Sequence, residues 1–283
     1  MNIPEIEGRN VLFVGAGGGF DVFGSIPLAS SFNECFFANY GSHKGFTVRK
    51  ATEIDYPEYG LPDCYVLGRN GVQMVKKGLN EILESHPSID TIVVIDGGVD
   101  ALMQGDEQEA GTILEDFIVI AAANAVDVPN KYLVCVGFGC ESEENLNHYR
   151  VLENISQLCE SGSFLGSCSL TRSMEEFQKY KSLCESTWKD KRVSHIQGKI
   201  ISAIEGKFGD VEMLGMDAQL VSGQSSGSFL NPFMGLYWFF DLSGVATNNK
   251  LISVLSNSST FTDAMMILRQ NLNPTRDKRN INW

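Results

Sequence analysis

The 283-residue chain is short of basic residues and has no long apolar run. Its 22 Lys and Arg face 35 Asp and Glu, which gives a formal charge of −13. Nucleic-acid surfaces and anionic membranes both require clustered Lys and Arg, so we expect neither as a partner. The longest apolar stretch, 117–126, falls short of the roughly 18 residues that span a bilayer. We therefore expect a small molecule as partner, and leave homo-oligomerisation open.

The sequence also lacks the motifs of common metal and redox sites. None of its seven cysteines forms a CxxC pair, and no HExxH segment occurs. These absences argue against zinc ribbons, thioredoxin-type dithiols and one class of zinc protease, so we expect neither structural zinc nor haem. Residues 1–8 carry no basic segment followed by an apolar run, which predicts no signal peptide. Buried free thiols in a cytoplasmic protein are the simplest expectation.

Short apolar runs alternate with segments of helical periodicity in the first half of the chain. The predicted strands are 9–15, 35–40, 91–95 and 132–138. The predicted helices are 21–32, 71–85, 112–126 and 145–160. Continuously apolar strands separated by helices are typical of an α/β fold, here a Rossmann-like, doubly wound and mostly parallel sheet.

The second half of the chain is less regular. No linker composition interrupts the sequence, so we expect a single domain over 1–283. Residues 1–160 would form its ligand-binding core and 161–283 an elaboration, anchored by the aromatic run 229–242. The polar segment 273–283 is predicted to be a loose tail.

A glycine-rich loop follows the first predicted strand and precedes a predicted helix. Loops of this kind bind anions, because glycines let a ligand approach the backbone and the helix N-terminus offers free N–H groups. We therefore expect a nucleotide or a sugar phosphate at this loop. The residues predicted to hold it are Gly15, Gly17, Gly18, Gly19, Asp21 and Asn39. A tight turn without a ligand, with Asp21 as a helix N-cap, is the alternative.

The loop departs from the dinucleotide fingerprint at two positions. Phe20 stands where the third glycine belongs, and Asn39 stands where an acidic residue would hold the ribose. The lysine of a P-loop is also missing. An NAD-dependent oxidoreductase therefore remains only a secondary alternative.

Carboxylates follow the predicted strand 91–95. Asp96 and Asp100 would lie at the edge of the sheet that carries the glycine loop, where they are suited to hold Mg²⁺ or to act as a general base. We predict both as catalytic and metal-binding residues, with Glu107 as a further ligand. Asp-Gly turn chemistry is the alternative. His148, after the strand 132–138, is a predicted catalytic residue, with a helix-surface histidine as the alternative.

The negative charge is concentrated around these carboxylates. Residues 78–130 contain eleven acids and no Lys or Arg. Such a field repels a bare phosphate, so a phosphate ligand would need a bridging cation. Without that cation, the ligand would be neutral or positively charged.

Several blocks of the sequence together resemble one known family. They are 13–24 (FVGAGGGFDVFG) with 26–29 (IPLA), 96–100 (DGGVD) with 105–107 (GDE), 164–166 (FLG), and 231–242 (NPFMGLYWFFDL). The chain is similar over nearly its whole length to the domain-of-unknown-function family 1152. The resemblance implies a Rossmann-like architecture and carries no established reaction.

The leading expectation is therefore a metabolic enzyme that binds a phosphate-bearing ligand. Its glycine loop would hold the nucleotide-like or sugar-phosphate-like molecule. A divalent cation, Mg²⁺ by preference, would make it a metal-assisted hydrolase or transferase. A nucleotide-binding sensor without chemistry is the main alternative.

Overall fold

The computed structural model describes residues 1, 3–4, 6–18, 20–52, 61, 64–187, 194–221 and 228–281. Its strands are β1 (Asn10–Gly18), β2 (Glu34–Tyr40), β3 (Val48–Lys50), β4 (Tyr65–Leu67), β5 (Thr91–Asp96), β6 (Asn130–Val136), β7 (Phe164–Ser169), β8 (Gly209–Leu214), β9 (Asp217–Leu220), β10 (Ser228–Leu230) and β11 (Leu236–Asp241). Its helices are α1 (Ile26–Ala29), α2 (Val72–Ser85), α3 (Leu114–Asn124), α4 (His148–Glu160), α5 (Glu175–Thr187), α6 (His195–Ile204), α7 (Leu242–Asn248), α8 (Ile252–Leu255) and α9 (Phe261–Asn271). Together these elements form the α/β architecture that the sequence predicts.

Eight strands form one sheet in the order β3-β4-β2-β1-β5-β6-β11-β7. The pairs β1–β2, β1–β5, β2–β4 and β5–β6 are parallel, whereas β3 and β11 run antiparallel to their neighbours. The chain leaves β1 in one direction towards β2 and returns to β5 on the other side. The boundary between β1 and β5 is therefore the point where ligands bind in sheets of this kind.

Alternate residues of β1 feed two separate cores. Val11 and Phe13 pack on one face of the sheet with helices α5 and α6, while Leu12 and Val14 pack on the other with α2, α3 and α4. A sheet covered on both faces needs strands that are apolar throughout, as β5 is. This is consistent with the Rossmann-like fold class expected from the sequence.

The segment after the glycine loop differs from the helix predicted over 21–32. A 3₁₀ helix over Asp21–Ser25 leads into α1, which has only four residues. Gly24 and Ser25 are poor helix formers, and Gly24 packs closely against Ile95 and Val136 of the sheet. The segment that directly follows the glycine loop is therefore not a long helix.

Two strands of the C-terminal half, β7 and β11, extend the main sheet. The aromatic run predicted as core contains β11, in which Tyr237, Phe239 and Phe240 are fully buried. β11 lies between β6 and β7, two neighbours that it meets in antiparallel register. A smaller sheet of order β10-β8-β9 packs beside α6.

The tail predicted to be loose is docked over its described part, up to residue 281. Arg276 donates to Asp106, Glu107, Glu153 and Asn154, and its backbone bridges to Glu107. The polar composition that suggests disorder supplies cations for acids of the core. Among the described residues, no helix combines the length and apolar character needed to cross a membrane.

Candidate functional site

A cavity of about 480 Å³ lies at the carboxyl ends of β1, β5 and β6. Each of these strands delivers acidic side chains to it, through Asp21 after β1, Asp96 and Asp100 at the end of β5, and Glu141 after β6. The first turn of α3 adds Asp116. The cavity therefore occupies the boundary between β1 and β5, where the topology predicts a ligand.

Three of these acids are close enough to share one ion. One carboxylate oxygen from each of Asp21, Asp96 and Asp116 lies within 4.8 Å of the other two. Asp96 and Asp116 are each only 4% exposed. Ligands on opposite sides of an Mg²⁺ ion with bonds of about 2.1 Å are about 4.2 Å apart. The three oxygens therefore fit the first coordination shell of a divalent cation after small adjustments.

The side chain of Asp21 hydrogen-bonds back to the glycine loop. The Gly17 amide donates to Asp21 Oδ2 at 2.7 Å, and the Gly97 amide donates to Asp21 Oδ1 at 3.3 Å. A Cβ on Gly17 would lie 2.8 Å from Asp21 Oδ2 and 3.0 Å from Asp116 Oδ1. The absence of a side chain at Gly17 therefore makes room for carboxylates, and its amide is not free for a phosphate.

The other residues of the predicted glycine-loop site have different positions. A Cβ on Gly15 would lie 1.8 Å from Asn39 Oδ1, and these two residues are register partners in β1 and β2. Asn39 is fully buried, and neither residue lines the cavity. Gly18 is the last residue of β1, and Gly19 lies outside the described residues.

Backbone amides fix one oxygen on each of two further carboxylates. Asp100 Oδ2 accepts from the Thr112 amide at 2.8 Å and from its hydroxyl at 3.1 Å. Glu141 Oε2 accepts from the Val99 amide at 2.6 Å. A Cβ on Gly98 would lie 2.4 to 2.6 Å from the Glu141 carboxyl group, so a side chain at this position would displace Glu141. The Asp96-Gly97-Gly98 sequence thus accommodates the acids around it.

The burial of so many acids together changes their protonation. The pKa values of Asp96, Asp116 and Glu141 are raised well above their usual range. Desolvation is the largest cause and the negative charge of Asp100 is the next. Desolvation also raises the pKa of Asp21, to about 7, although the Gly17 amide opposes the shift. Without a cation these groups would hold protons near neutral pH, and a cation would displace them.

The lining of the cavity is not entirely acidic. Arg69 is the single cation among the described residues that line the cavity. It pairs with Glu115 at 2.6 Å, and its guanidinium lies 4.0 Å from the centre of the Phe261 ring. Leu114 and Ile196 add apolar surface. The lining therefore combines a majority of acids with one guanidinium and a few apolar groups.

Glu107 lies away from this cavity, in contrast to its predicted role as a metal ligand. Its Oε1 accepts from Gln104, Asn154 and Arg276, and its Oε2 accepts from the amides of Gly105 and Asp106. The charge of Glu107 is therefore already paired with the Arg276 guanidinium. The side chain is 2% exposed and holds the loop after β5 to the tail.

His148 also lies outside the acidic cavity. It is the first residue of α4, and its ring packs edge-on against Phe138 at 5.2 Å. It lines a separate cavity of about 270 Å³ with Lys278 and Arg279. Burial lowers its pKa, so the imidazole is neutral at neutral pH. The structure does not bring His148 together with Asp96 and Asp100.

Sequence reasoning did not select Asp116, Glu141 or Arg69 for the site. Asp116 lies in the first turn of α3, where an acid also favours the helix dipole without any ligand. Glu141 does carry a usable signal, because it follows β6 and the ends of neighbouring parallel strands meet at one edge. Arg69 follows β4 and precedes the predicted helix 71–85, a position that suits an anion contact and equally a capping turn.

Comparison with known proteins identifies a family for the chain. Searches of curated proteins and of solved structures found no match. The family described as "Protein of unknown function (DUF1152)" matches residues 62–276, roughly three quarters of the chain. The matched segment contains Asp96, Asp100, Asp116 and Glu141, and begins after Asp21. The chain therefore belongs to the DUF1152 family.

Proposed function

We propose that this protein is a divalent-cation-dependent hydrolase or transferase that acts on a phosphate-bearing small molecule, nucleotide-like or sugar-phosphate-like. The observation that carries the proposal is the group formed by Asp21, Asp96 and Asp116, whose carboxylate oxygens lie within 4.8 Å of one another in a cavity. Oxygen-only ligands favour hard cations such as Mg²⁺, Mn²⁺ or Ca²⁺. A bound cation would supply charge neutralisation and Lewis-acid polarisation of a substrate oxygen.

The residues of the lining that are not acidic support an anionic substrate. Arg69 is held in place by Glu115 at 2.6 Å and by the ring of Phe261, so its guanidinium needs little further ordering to receive a phosphate. The apolar surface of Leu114 and Ile196 suits a less polar part of the same molecule. A phosphate bound between Arg69 and the group of Asp21, Asp96 and Asp116 would need a cation beside these acids, because their negative charge repels a bare phosphate.

Glu144 is the candidate for proton transfer. It lies on the loop after β6 and lines the cavity, and its Oε2 is 3.5 Å from the Thr112 hydroxyl. Its pKa is raised above that of an ordinary glutamate. Partial desolvation is the largest cause, and the negative charge of Asp100 is the next. A carboxyl group with a raised pKa is suited to take a proton from a nucleophile or to give one to a leaving group.

A metal-dependence assay tests the proposal directly. Chelator-treated protein would be supplied with Mg²⁺ or Mn²⁺ and a panel of nucleotides and sugar phosphates, and released phosphate or transferred product would be measured. We expect turnover that requires the cation, disappears in Asp96→Asn and persists in Glu84→Gln, an exposed glutamate of α2 that serves as the matched control. Glu144→Gln should lower turnover by about 100-fold while cation binding is retained.

Two other outcomes separate the alternatives. Cation-dependent ligand binding with no product after long incubation would contradict the enzyme and favour the regulatory sensor. Thermal stabilisation by NAD would support the oxidoreductase, although the Gly17 amide is already engaged by Asp21. Retention of full activity in Asp96→Asn would remove the cation centre from the proposal.

A further inference from the structure

A second cavity, of about 270 Å³, lies between the N-terminus of α4 and the docked tail. It is lined by the loop before α4, by the first turn of that helix and by residues 278–281. Its lining carries two cations, Lys278 and Arg279, and one acid, Glu109. The lining is therefore net positive in a chain whose formal charge is −13, in contrast to the acidic cavity.

The first turn of α4 supplies backbone donors at this cavity. The helix has 13 residues, and the amides of His148 and Tyr149, its first two, have no acceptor among the described residues. Free N–H groups and the positive end of the helix dipole favour bound anions. Because every helix has such an end, the case for a ligand depends on the side chains around it.

Asn147 provides the observation that points to a ligand. It is the N-cap residue of α4, is 3% exposed and lines the cavity. Its Oδ1 accepts from the Arg150 amide at 3.4 Å, which leaves Nδ2 as a buried donor without a partner among the described residues. Buried side-chain donors normally have an acceptor. An anion bound in the cavity would supply one.

The neighbouring side chains add further donors. His148, predicted from the sequence as catalytic, has a buried Nε2 that also lacks a described partner, and this nitrogen donates when it carries the proton. Among the described residues no carboxylate forms an ion pair with Arg279, whose guanidinium donates to the Tyr149 hydroxyl at 3.4 Å and lies 5.7 Å from the centre of that ring. Lys278, in contrast, pairs with Glu109 at 2.8 Å. The cavity therefore borders several donors that lack an acceptor and one cation that lacks a carboxylate.

We propose that this cavity binds the phosphate group of a small molecule, held by the first amides of α4, by Asn147 Nδ2 and by the Arg279 guanidinium. A phosphate group presents several acceptor oxygens and a negative charge, so it matches amide and guanidinium donors better than a neutral ligand does. The inference does not depend on the proposed function, because none of these residues lines the acidic cavity.

Titration of the full chain with inorganic phosphate tests the inference, with chelator present and the ionic strength held constant. We expect a dissociation constant below about 1 mM. Asn147→Asp should weaken binding by at least about tenfold, because it keeps a helix cap and replaces the free donor with a negative oxygen. Arg279→Gln, at an exposed position, should weaken binding by about five- to tenfold. Arg269→Gln, on the exposed side of α9, is the matched control and should keep the wild-type affinity.

The possible results separate this site from the acidic cavity. Absence of phosphate binding by the wild type overturns the inference, and so does wild-type affinity in both Asn147→Asp and Arg279→Gln. Binding that is lost in Arg69→Gln but retained in Arg279→Gln assigns the phosphate to the acidic cavity and also overturns it. Arg279→Gln decides the question if Asn147→Asp fails to fold. The cation assays of the proposed function can fail without affecting any of these results.

Discussion

Two acidic regions of this molecule have opposite surroundings. The first consists of Asp106, Glu107 and Glu153, and it is filled with cations from distant parts of the chain, chiefly Arg276, with Lys250 on Asp106. We call it the paired region. The second consists of Asp21, Asp96, Asp100, Asp116 and Glu141, and we call it the unpaired region. No described Lys or Arg forms an ion pair with any of its five acids.

The difference distinguishes acids that are paired within the fold from acids that we propose to bind a cation. In the paired region the cations lower the pKa values of Asp106 and Glu153, so these acids are ionised and stabilise the fold. In the unpaired region burial raises the pKa values of Asp96 and Asp116. The chain can supply cations to buried acids, and it does so a few residues away. The five acids of the unpaired region have no described ion pair, and the cation that we propose to bind there from solution would account for this.

The largest expected effect lies in the paired region. Arg276→Ala should lower the free energy of unfolding by about 3–5 kcal/mol, because it leaves Glu107 buried without its cationic partner and Asp106 with Lys250 alone. Urea unfolding would measure the change. Arg269→Ala, an exposed arginine on α9, is the matched control and should change stability by less than about 0.5 kcal/mol. A loss below about 1 kcal/mol at Arg276 would mean that the tail does not hold the core acids.

The pH dependence of stability should separate the two regions. The raised pKa values in the unpaired region exceed those of the unfolded chain, so their contribution is fully present below about pH 4 and is lost as pH rises through the folded values, about 7 for Asp21. With chelator present, we expect the free energy of unfolding to fall by about 2 kcal/mol between pH 5 and pH 8. Saturating Mn²⁺ should abolish most of this fall. A chelated protein that gains stability over this range would contradict the account.

Opposite effects are expected when one carboxylate is neutralised in each region. Asp116→Asn should raise the stability of the chelated protein at pH 8 by about 1–2 kcal/mol, since it removes an uncompensated buried acid. Glu107→Gln should lower stability by about 1–3 kcal/mol, because it weakens the contact with Arg276 and leaves backbone donors poorly matched. Chemical unfolding of both variants measures the contrast. Changes of the same sign would erase the distinction between the regions.

The smallest effect is expected at His148. Its ring packs on Phe138 outside the acidic cavity, so His148→Gln should cost about 1 kcal/mol of stability and leave Mn²⁺ affinity within about twofold of the wild type. Calorimetric titration measures the affinity. A loss of Mn²⁺ binding or of turnover by tenfold or more would contradict the account and show that His148 contributes to the site.

Much of the fold could be predicted because its core obeys local rules. The apolar runs of β1, β5 and β6 are long enough to identify buried strands, and glycines mark their ends. β7 could not be identified in the same way, since Phe164–Ser169 mixes small and polar residues and only its pairing with β11 makes it a strand. The helix predicted over 21–32 fails for a related reason, because packing of Gly24 on the sheet overrides apolar periodicity.

The site was predictable in part. Asp96 and Asp100 follow from the rule that ligands bind at the carboxyl ends of parallel strands. The same reasoning selects Glu107. In the structure Glu107 pairs with Arg276, which is 169 residues away in sequence, and no local pattern predicts that pairing. Gly17 was expected to approach a phosphate, whereas the structure uses its small size to admit carboxylates. Sequence patterns identify the acids, and only the three-dimensional arrangement shows which of them have partners.

The most direct measurement of the central claim is anomalous scattering from crystals of chelator-treated protein soaked in Mn²⁺. The account predicts an anomalous peak in the cavity within about 2.0–2.6 Å of oxygens from Asp21, Asp96 and Asp116. It predicts no such peak beside Asp106 and Glu107, whose oxygens are occupied by Arg276 and Lys250. A cavity without a peak at saturating Mn²⁺, or a peak in the paired region instead, would contradict the claim that the unpaired acids form a cation centre.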